Sequence, residues 1–216
     1  MPGQKEILIG VIEQISRKLI EAEKQLTELD SPLGDADCGV GVKRGFEAVQ
    51  KIIPQLSSLD LPDILKKVGF TLAYTIGGTS GAMLGTGFIE TGKSIEGKDD
   101  QNITIWPDAL EDSLAVIKRR GGNTQVGDKT LVDSLEPAVI SIRNSVNSGE
   151  ANMVSILEKA LTAAKDGSEK TINMIARKGR ASYLGERSVG HRDPGTVIIC
   201  IMFDAALEYL KSIINA

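Results

Sequence analysis

The chain has 216 residues, 41% hydrophobic and 25% charged, which is enough for one substantial core and compels no second domain; a single domain over residues 1–216 is expected. The formal net charge of −4 argues against a general nucleic-acid or membrane surface. No long apolar run follows the amino-terminal Met-Pro-Gly-Gln-Lys-Glu, so neither a signal peptide nor a membrane span is expected and the protein is assigned to the cytoplasm.

Leu8, Ile12, Ile15, Leu19, Ala22, Leu26 and Leu29 recur in steps of three and four, which predicts one amphipathic helix over residues 5–29. The next stretch packs Asp30, Asp35 and Asp37 around two turn formers, Pro32 and Gly34. Three carboxylates this close repel one another unless a cation joins them. A hard divalent ion such as Mg²⁺ or Ca²⁺, which takes oxygen ligands, is the natural candidate. The plainer alternative is a solvated acidic loop, with Asp30 as a helix stop and Asp35 or Asp37 as the next N-cap.

Further helices are predicted at about 40–54 and 62–75, with Pro62 where a first turn tolerates it. Gly77-Gly78-Thr79-Ser80-Gly81 then precedes a helical pattern over 80–95. Free N–H groups at such a helix start suit an anion, phosphate foremost, and Thr79 and Ser80 add hydroxyl donors. The alternative is a flexible turn with Ser80 as an N-cap. Within the same segment Gly87-Phe-Ile-Glu-Thr-Gly92-Lys93-Ser94 matches the P-loop pattern letter for letter. A helical pattern precedes it and a poor helix start follows, whereas the motif needs a strand before and a helix after; a helix stop at Gly92 is expected instead.

Ile103 to Trp106 passes as a short strand, and a helix over 107–120 follows Pro107. Gly121-Gly122 is then either a helix stop or a backbone surface against which a flat base lies. Gly127-Asp128-Lys129-Thr130 is either a turn and cap or a means of placing Lys129 near phosphate. Helices are predicted over 130–148 and 151–177. The segment Gly179 to Gly195 is too long for a minimal turn and too polar for a core, and Arg180, Arg187 and Arg192 suit phosphate. His191 is the sole histidine and reads as a loop residue held by hydrogen bonds, so no His/Cys metal cluster is possible. Val197 to Phe203 passes as a strand on periodicity alone, but it continues with helical spacing into a last helix over 195–214 behind Pro194. Cys200 in that run reads as a reduced core thiol, and with Cys38 it makes too few cysteines for a disulfide framework.

These elements imply an all-α fold, an antiparallel bundle of about eight amphipathic helices. If the helices alternate in direction, the connections after the first, third, fifth and seventh emerge at one end. Those connections carry the aspartates and the glycine-rich segments, so that end is expected to be the site.

Taken together, Asp30-Ser-Pro-Leu-Gly-Asp35-Ala-Asp37-Cys-Gly39, Gly77-Gly-Thr-Ser-Gly81, Gly127-Asp-Lys-Thr130, and Gly179-Arg-Ala-Ser-Tyr-Leu-Gly-Glu-Arg187 through Gly190-His-Arg-Asp-Pro-Gly195 resemble the nucleotide-binding L subunit of dihydroxyacetone kinases in order and spacing. The resemblance spans almost the whole chain. It implies a closed eight-helix barrel with ADP or ATP in the loops at one end, and two Mg²⁺ ions held by Asp30, Asp35 and Asp37. It also implies nucleotide contacts from Cys38, Gly39, Val40, Gly41, Thr79, Ser80, Gly122, Leu131, Arg180, Asp193, Pro194 and Gly195.

The activity implied is phosphoryl transfer by positioning and charge neutralisation, with no covalent chemistry on this chain, to dihydroxyacetone held by a separate K subunit. In the phosphoenolpyruvate-dependent branch ADP stays bound as a cofactor and is rephosphorylated by a phosphohistidine-carrying M subunit. In the other branch ATP is an exchanging substrate. A free-standing chain of this length favours the first branch, whereas Cys38 and Gly41 replace the His and Asn common there, and cysteine at that place is more like the ATP-using form. The acceptor choice belongs to the K subunit, so another small ketose or polyol is an alternative. A nucleotide-state sensor that binds a regulator would keep every one of these motifs. A metal-dependent phosphohydrolase would need a water-activating base near the aspartates, and the sequence offers no clear one.

Overall fold

The computed structural model describes residues 2–99 and 104–214, and among these it contains nine α-helices and no strand. In chain order they are α1 (Gln4–Glu21), α2 (Glu23–Asp30), α3 (Cys38–Leu56), α4 (Leu61–Thr75), α5 (Gly78–Ile95), α6 (Ile105–Arg120), α7 (Val132–Asn147), α8 (Met153–Lys170) and α9 (Pro194–Ile214). The all-α expectation holds. Apolar stripes at helical spacing turn inward from every long helix, and Leu19, Val42, Phe46, Leu72, Val139 and Ile198 meet in one buried cluster. Full burial of such a side chain stabilises by about 1.5–3 kcal/mol, which outweighs the weak propensity differences along the helices.

Neighbouring helices pack in sequence, α3 on α4, α4 on α5 and so on to α8 on α9, and the ring closes where α1 packs on α9. That closing pair is antiparallel: the Tyr209 ring lies against Gly10, while Lys18 Nζ reaches Asp204 Oδ2 at 2.7 Å. The α4–α5 contact is close and reciprocal in backbone terms. A Cβ on Gly69 would stand 2.6 Å from the Gly85 carbonyl oxygen, and a Cβ on Gly85 would stand 2.6 Å from that of Gly69. Only glycine at both positions lets the two backbones approach so closely.

Several boundaries differ from the periodicity. The first predicted helix is two, broken at Ala22 (φ −81°, ψ 3°), because the side-chain stripe runs through a backbone offset that leaves its spacing intact. The predicted 151–177 helix ends at Lys170; a 3-10 turn over Thr171–Asn173 follows, and Met174 is extended. Val197 to Phe203 is helical within α9, and Trp106 is helical within α6, while Ile103 lies outside the described residues. Gly92 does not stop a helix: α5 continues to Ile95, because Gly92 sits against the Pro62 carbonyl on α4, where a side chain would collide. The P-loop look-alike is thus part of a continuous helix, with Lys93 paired to Glu90 at 3.4 Å. No described helix is long and apolar enough to cross a membrane.

Candidate functional site

The four connections after α2, α4, α6 and α8 line one cavity of about 340 Å³ at a single end of the bundle. Helices α3, α5, α7 and α9 all begin there, and the residues at their starts, Cys38, Gly78 to Ser80, the N-cap residue Leu131 and Pro194, form much of its wall. First turns carry N–H groups without intrahelical partners, so this wall is rich in donors. Helix ends bring the opposite problem, exposed carbonyls, and two cations cover them. Arg44 donates through Nε to the Thr75 carbonyl and through Nη2 to that of Ile76, both at 2.7 Å, at the end of α4. Lys178 Nζ donates to the Gly122 carbonyl at 2.7 Å, just past α6. The result favours an anion in the cavity.

At one side of it stand the aspartates. Asp30 ends α2, and its carboxylate accepts the Cys38 N–H at 3.2 Å. Asp37 occupies the N-cap position of α3, yet its side chain caps nothing; the plain N-cap alternative does not describe it. Ala36, between Asp35 and Asp37, has a left-handed φ of 59°. One carboxylate oxygen from each of Asp30, Asp35 and Asp37 lies within 4.8 Å of the others. Desolvation in the cleft, and then the like charges of Asp35 and Asp30, push the Asp37 carboxyl above its ordinary pKa. Arg180 offsets part of this repulsion with Nη1 at 2.9 Å from Asp35 Oδ2, although its side chain is 71% exposed and so only loosely held. A crowded set of hard oxygen donors fits Mg²⁺.

The opposite side is buried and rigid. Asp133 accepts the N–H groups of Gly127 at 2.6 Å and Thr130 at 2.7 Å, which shapes the loop between α6 and α7. Burial pushes its carboxyl up, while these amide bonds pull it back. Asp193 N-caps α9, accepting the Thr196 N–H at 2.9 Å, and its own N–H is received by Thr171 Oγ1 at 3.1 Å. Burial pushes the Asp193 carboxyl up to about 7. Cys38 is pushed up to about 12 by burial and by the nearby Asp30, Asp193 and Asp37 carboxylates, so its thiol stays protonated and unreactive.

Of the residues singled out from the sequence, Asp30, Asp35, Asp37, Cys38, Val40, Gly41, Thr79, Ser80, Leu131, Arg180, Asp193, Pro194 and Gly195 all line this cavity. Gly39 and Gly122 are not in the lining. Gly39 is packed on α2, where a Cβ would stand 2.1 Å from the Glu23 carbonyl oxygen, and Gly122 lies just outside with its carbonyl bonded to Lys178. Ser80 is within the first turn of α5 rather than its N-cap, which is Gly77. Arg187, His191 and Arg192 lie outside the lining, and Arg192 pairs with Glu169. Arg44, Met83 and Lys178 were not anticipated. Arg44 was findable, because it stands three residues after Gly41 on the same face of α3; Lys178 was hidden by a boundary misplaced at residue 177.

In comparisons with known proteins, residues 32–208 match the family model of the DAK2 domain. The chain is 40% identical to the ADP-binding subunit DhaL of the PEP-dependent dihydroxyacetone kinase of Escherichia coli (strain K12), over 82% of this chain and 83% of that one. It is 35% identical to the ADP-binding subunit DhaL of PEP-dependent dihydroxyacetone kinase 2 of Listeria innocua, over 94% of each. Among solved structures, the dihydroxyacetone kinase from C. freundii in complex with AMP-PNP and Mg²⁺ is similar with a TM-score of 0.75 at 25% identity. That match covers 96% of this chain and 34% of the other, so the chain spans about a third of the solved kinase.

Proposed function

The chain belongs to the DAK2 domain family, and from that premise we propose that it is the nucleotide-binding subunit of a dihydroxyacetone kinase, a phosphotransferase that carries ADP or ATP with Mg²⁺ in the cavity at the end of its helical ring. One observation carries this reading: the aspartate cluster opens into the same cavity as the starts of α3, α5 and α9, so groups suited to a cation and to a phosphate face each other. Asp30, Asp35 and Asp37 would hold Mg²⁺, two ions on the pattern of the family, and the metal when bound supplies neutralisation of phosphate charge.

The residues of the chain itself then position the nucleotide. The first turn of α5, with the hydroxyls of Thr79 and Ser80, donates to phosphate oxygens; Val40 at the start of α3 and Gly195 at the start of α9 add amide donors, and Cys38, Gly41 and Pro194 shape the wall beside them. Arg180 trades Asp35 for phosphate and grips it with a planar fork. Leu131, Met83 and the backbone around Gly121 and Gly122 flank the base. Such a site catalyses by orientation and charge, and no side chain of this chain forms a covalent intermediate.

The acceptor, dihydroxyacetone, is held by a separate K subunit. ADP remains on this chain as a cofactor and is recharged by a phosphohistidine-carrying M subunit. The two DhaL relatives, each matched by this chain over most of its length, are named PEP-dependent and ADP-binding, which favours this donor over exchanging ATP. Mass spectrometry under non-denaturing conditions tests the core of the reading: ADP and Mg²⁺ are expected to travel with the purified protein. A preparation that carries no nucleotide and takes up no Mg·ADP on calorimetric titration would sink it. Adding a K subunit with dihydroxyacetone, and supplying either ATP or a phosphoenolpyruvate-charged phosphohistidine protein, then reads out transfer and separates the two donors. A pure sensor would bind nucleotide and transfer nothing.

A further inference from the structure

Lys129 borders the cavity, yet it is only 2% exposed and among the largest fully buried side chains of the protein. A lysine buried this way needs partners, and its ammonium donates to the Met174 carbonyl at 3.1 Å and to the Ser188 carbonyl at 2.5 Å. Those two carbonyls mark the two ends of the segment that carries Lys178 and Arg180. The same neck is fastened twice more, since Ser188 Oγ accepts the Ala176 N–H at 2.9 Å and the Ile172 carbonyl accepts the Gly190 N–H at 2.7 Å. The Arg177 N–H also reaches the Asp128 carbonyl at 3.0 Å, tying the segment to the residue before Lys129.

The backbone of Lys129 is left-handed, with φ of 61°. For a residue other than glycine this conformation is costly and persists only where the surroundings impose it. Here they do, because Asp133 holds the amides of Gly127 and Thr130 on either side. The tip of the segment is different. Its contacts, Lys178 with Gly122 and Arg180 with Asp35, lie at the surface and can be exchanged for a ligand. A rigid neck and an exchangeable tip divide the work.

We propose that Lys129 is a positioning residue: it pins the neck of the 174–189 segment shut so that Arg180 is presented to the phosphates, and it acts on bound nucleotide through Arg180 rather than by touching it. This rests on the nucleotide reading above. The neck itself is a property of the free protein, and that allows the two to be tested apart.

The variant is Lys129→Met, which keeps the length of the side chain and removes its donors. In the ligand-free protein, hydrogen–deuterium exchange of the amides of residues 176–188 is expected to quicken by about tenfold or more while α5 is unaffected. Calorimetric titration with Mg·ADP is expected to give an affinity loss of about tenfold, no larger than that of Arg180→Ala. The double variant should bind no more weakly than Arg180→Ala alone, since removing the pin matters only while there is an arginine to present. Lys129→Gln, which retains N–H donors on a shorter stem, should restore part of both losses. Unchanged exchange in Lys129→Met would overturn the pin. Affinity losses that add in the double variant would overturn the indirect action and show that the ammonium meets the nucleotide. Should Lys129→Met not fold, Lys129→Gln carries the same readouts with smaller expected changes. Should the wild-type protein bind no Mg·ADP, the nucleotide reading falls, and the exchange data alone decide whether Lys129 holds the neck.

Discussion

Removing one carboxylate from the aspartate cluster is expected to harm binding but not folding. Asp37 is the clean choice, because its side chain accepts no capping bond and its carboxyl is strained by its neighbours, whereas Asp30 also serves the Cys38 amide and Asp35 also receives Arg180. Asp37→Ala should therefore abolish Mg²⁺-dependent ADP binding in calorimetry and leave the ligand-free melting temperature equal or higher; a folded variant with undiminished affinity would refute the metal assignment. Asp193 behaves differently. Its folded carboxyl titrates at about 7, above its ordinary value of 3.8, so between those values the native state holds a proton that the unfolded state has released. Stability from this group is full below the ordinary value and is lost as pH rises through about 7. Asp193→Asn keeps an acceptor for the Thr196 amide and removes the titration. At pH values near 8 it should be more stable than wild type by about 1–3 kcal/mol, a gain that fades towards pH values near 4. Urea unfolding across that range checks the sign, and equal pH profiles for the two proteins would contradict it.

At the scale of helices, the paired glycines of α4 and α5 make a sharp expectation. Gly85→Ala places a methyl group 2.6 Å from both the Gly69 carbonyl oxygen and the Ala73 Cβ, so the helices must separate and stability should fall by about 1–3 kcal/mol. Lys93→Ala, on the exposed side of the same helix, should change stability by less than about 0.5 kcal/mol and leave Mg·ADP affinity as it is. A loss comparable to that of Asp37→Ala would give the P-loop look-alike a role that its helical setting denies it. This helix also shows what a linear reading captures. Apolar stripes revealed nearly every helix, since the period survives whatever the partner, and glycine clusters marked the connections that meet at the cavity. What the sequence withheld was backbone register: the offset at Ala22 preserves the stripe, and the end of α8 at Lys170 is followed by Ile172, Met174 and Ile175, which extend the apolar pattern past the helix. Likewise, Ala36 and Lys129 carry side chains with no special liking for a left-handed backbone, yet both adopt it in the connections at the cavity end, as does Asn123, whose side chain tolerates it. Such conformations are imposed by tertiary hydrogen bonds, which no local pattern announces.

For the molecule as a whole, the meeting of α1 with α9 sets the geography of the chain. Helix α9 leaves the cavity wall at Pro194 and runs away from it, while α1, antiparallel to α9, runs towards it, so Gln4 and Ile214 both lie at the far end. Lys5 Nζ reaches the Ser57 carbonyl at 3.4 Å there, beside the connection between α3 and α4. The start of α1 and the end of α9 thus lie on the same side of the molecule. A circular permutant that joins the two ends through a short linker and opens between Ser57 and Ser58 should bind Mg·ADP within about threefold of wild type; one opened between Val126 and Gly127 should lose binding, because it cuts the loop that Asp133 organises. Near-equal affinities for the two permutants would detach the cavity from that loop. The same geography constrains any covalent attachment. The 21 residues of α9 span about 30 Å, so a tether leaving either end needs about nine extended residues merely to draw level with the mouth of the cavity. A shorter tether holds its cargo at the back of the molecule, and the mouth stays open to whatever arrives from solution.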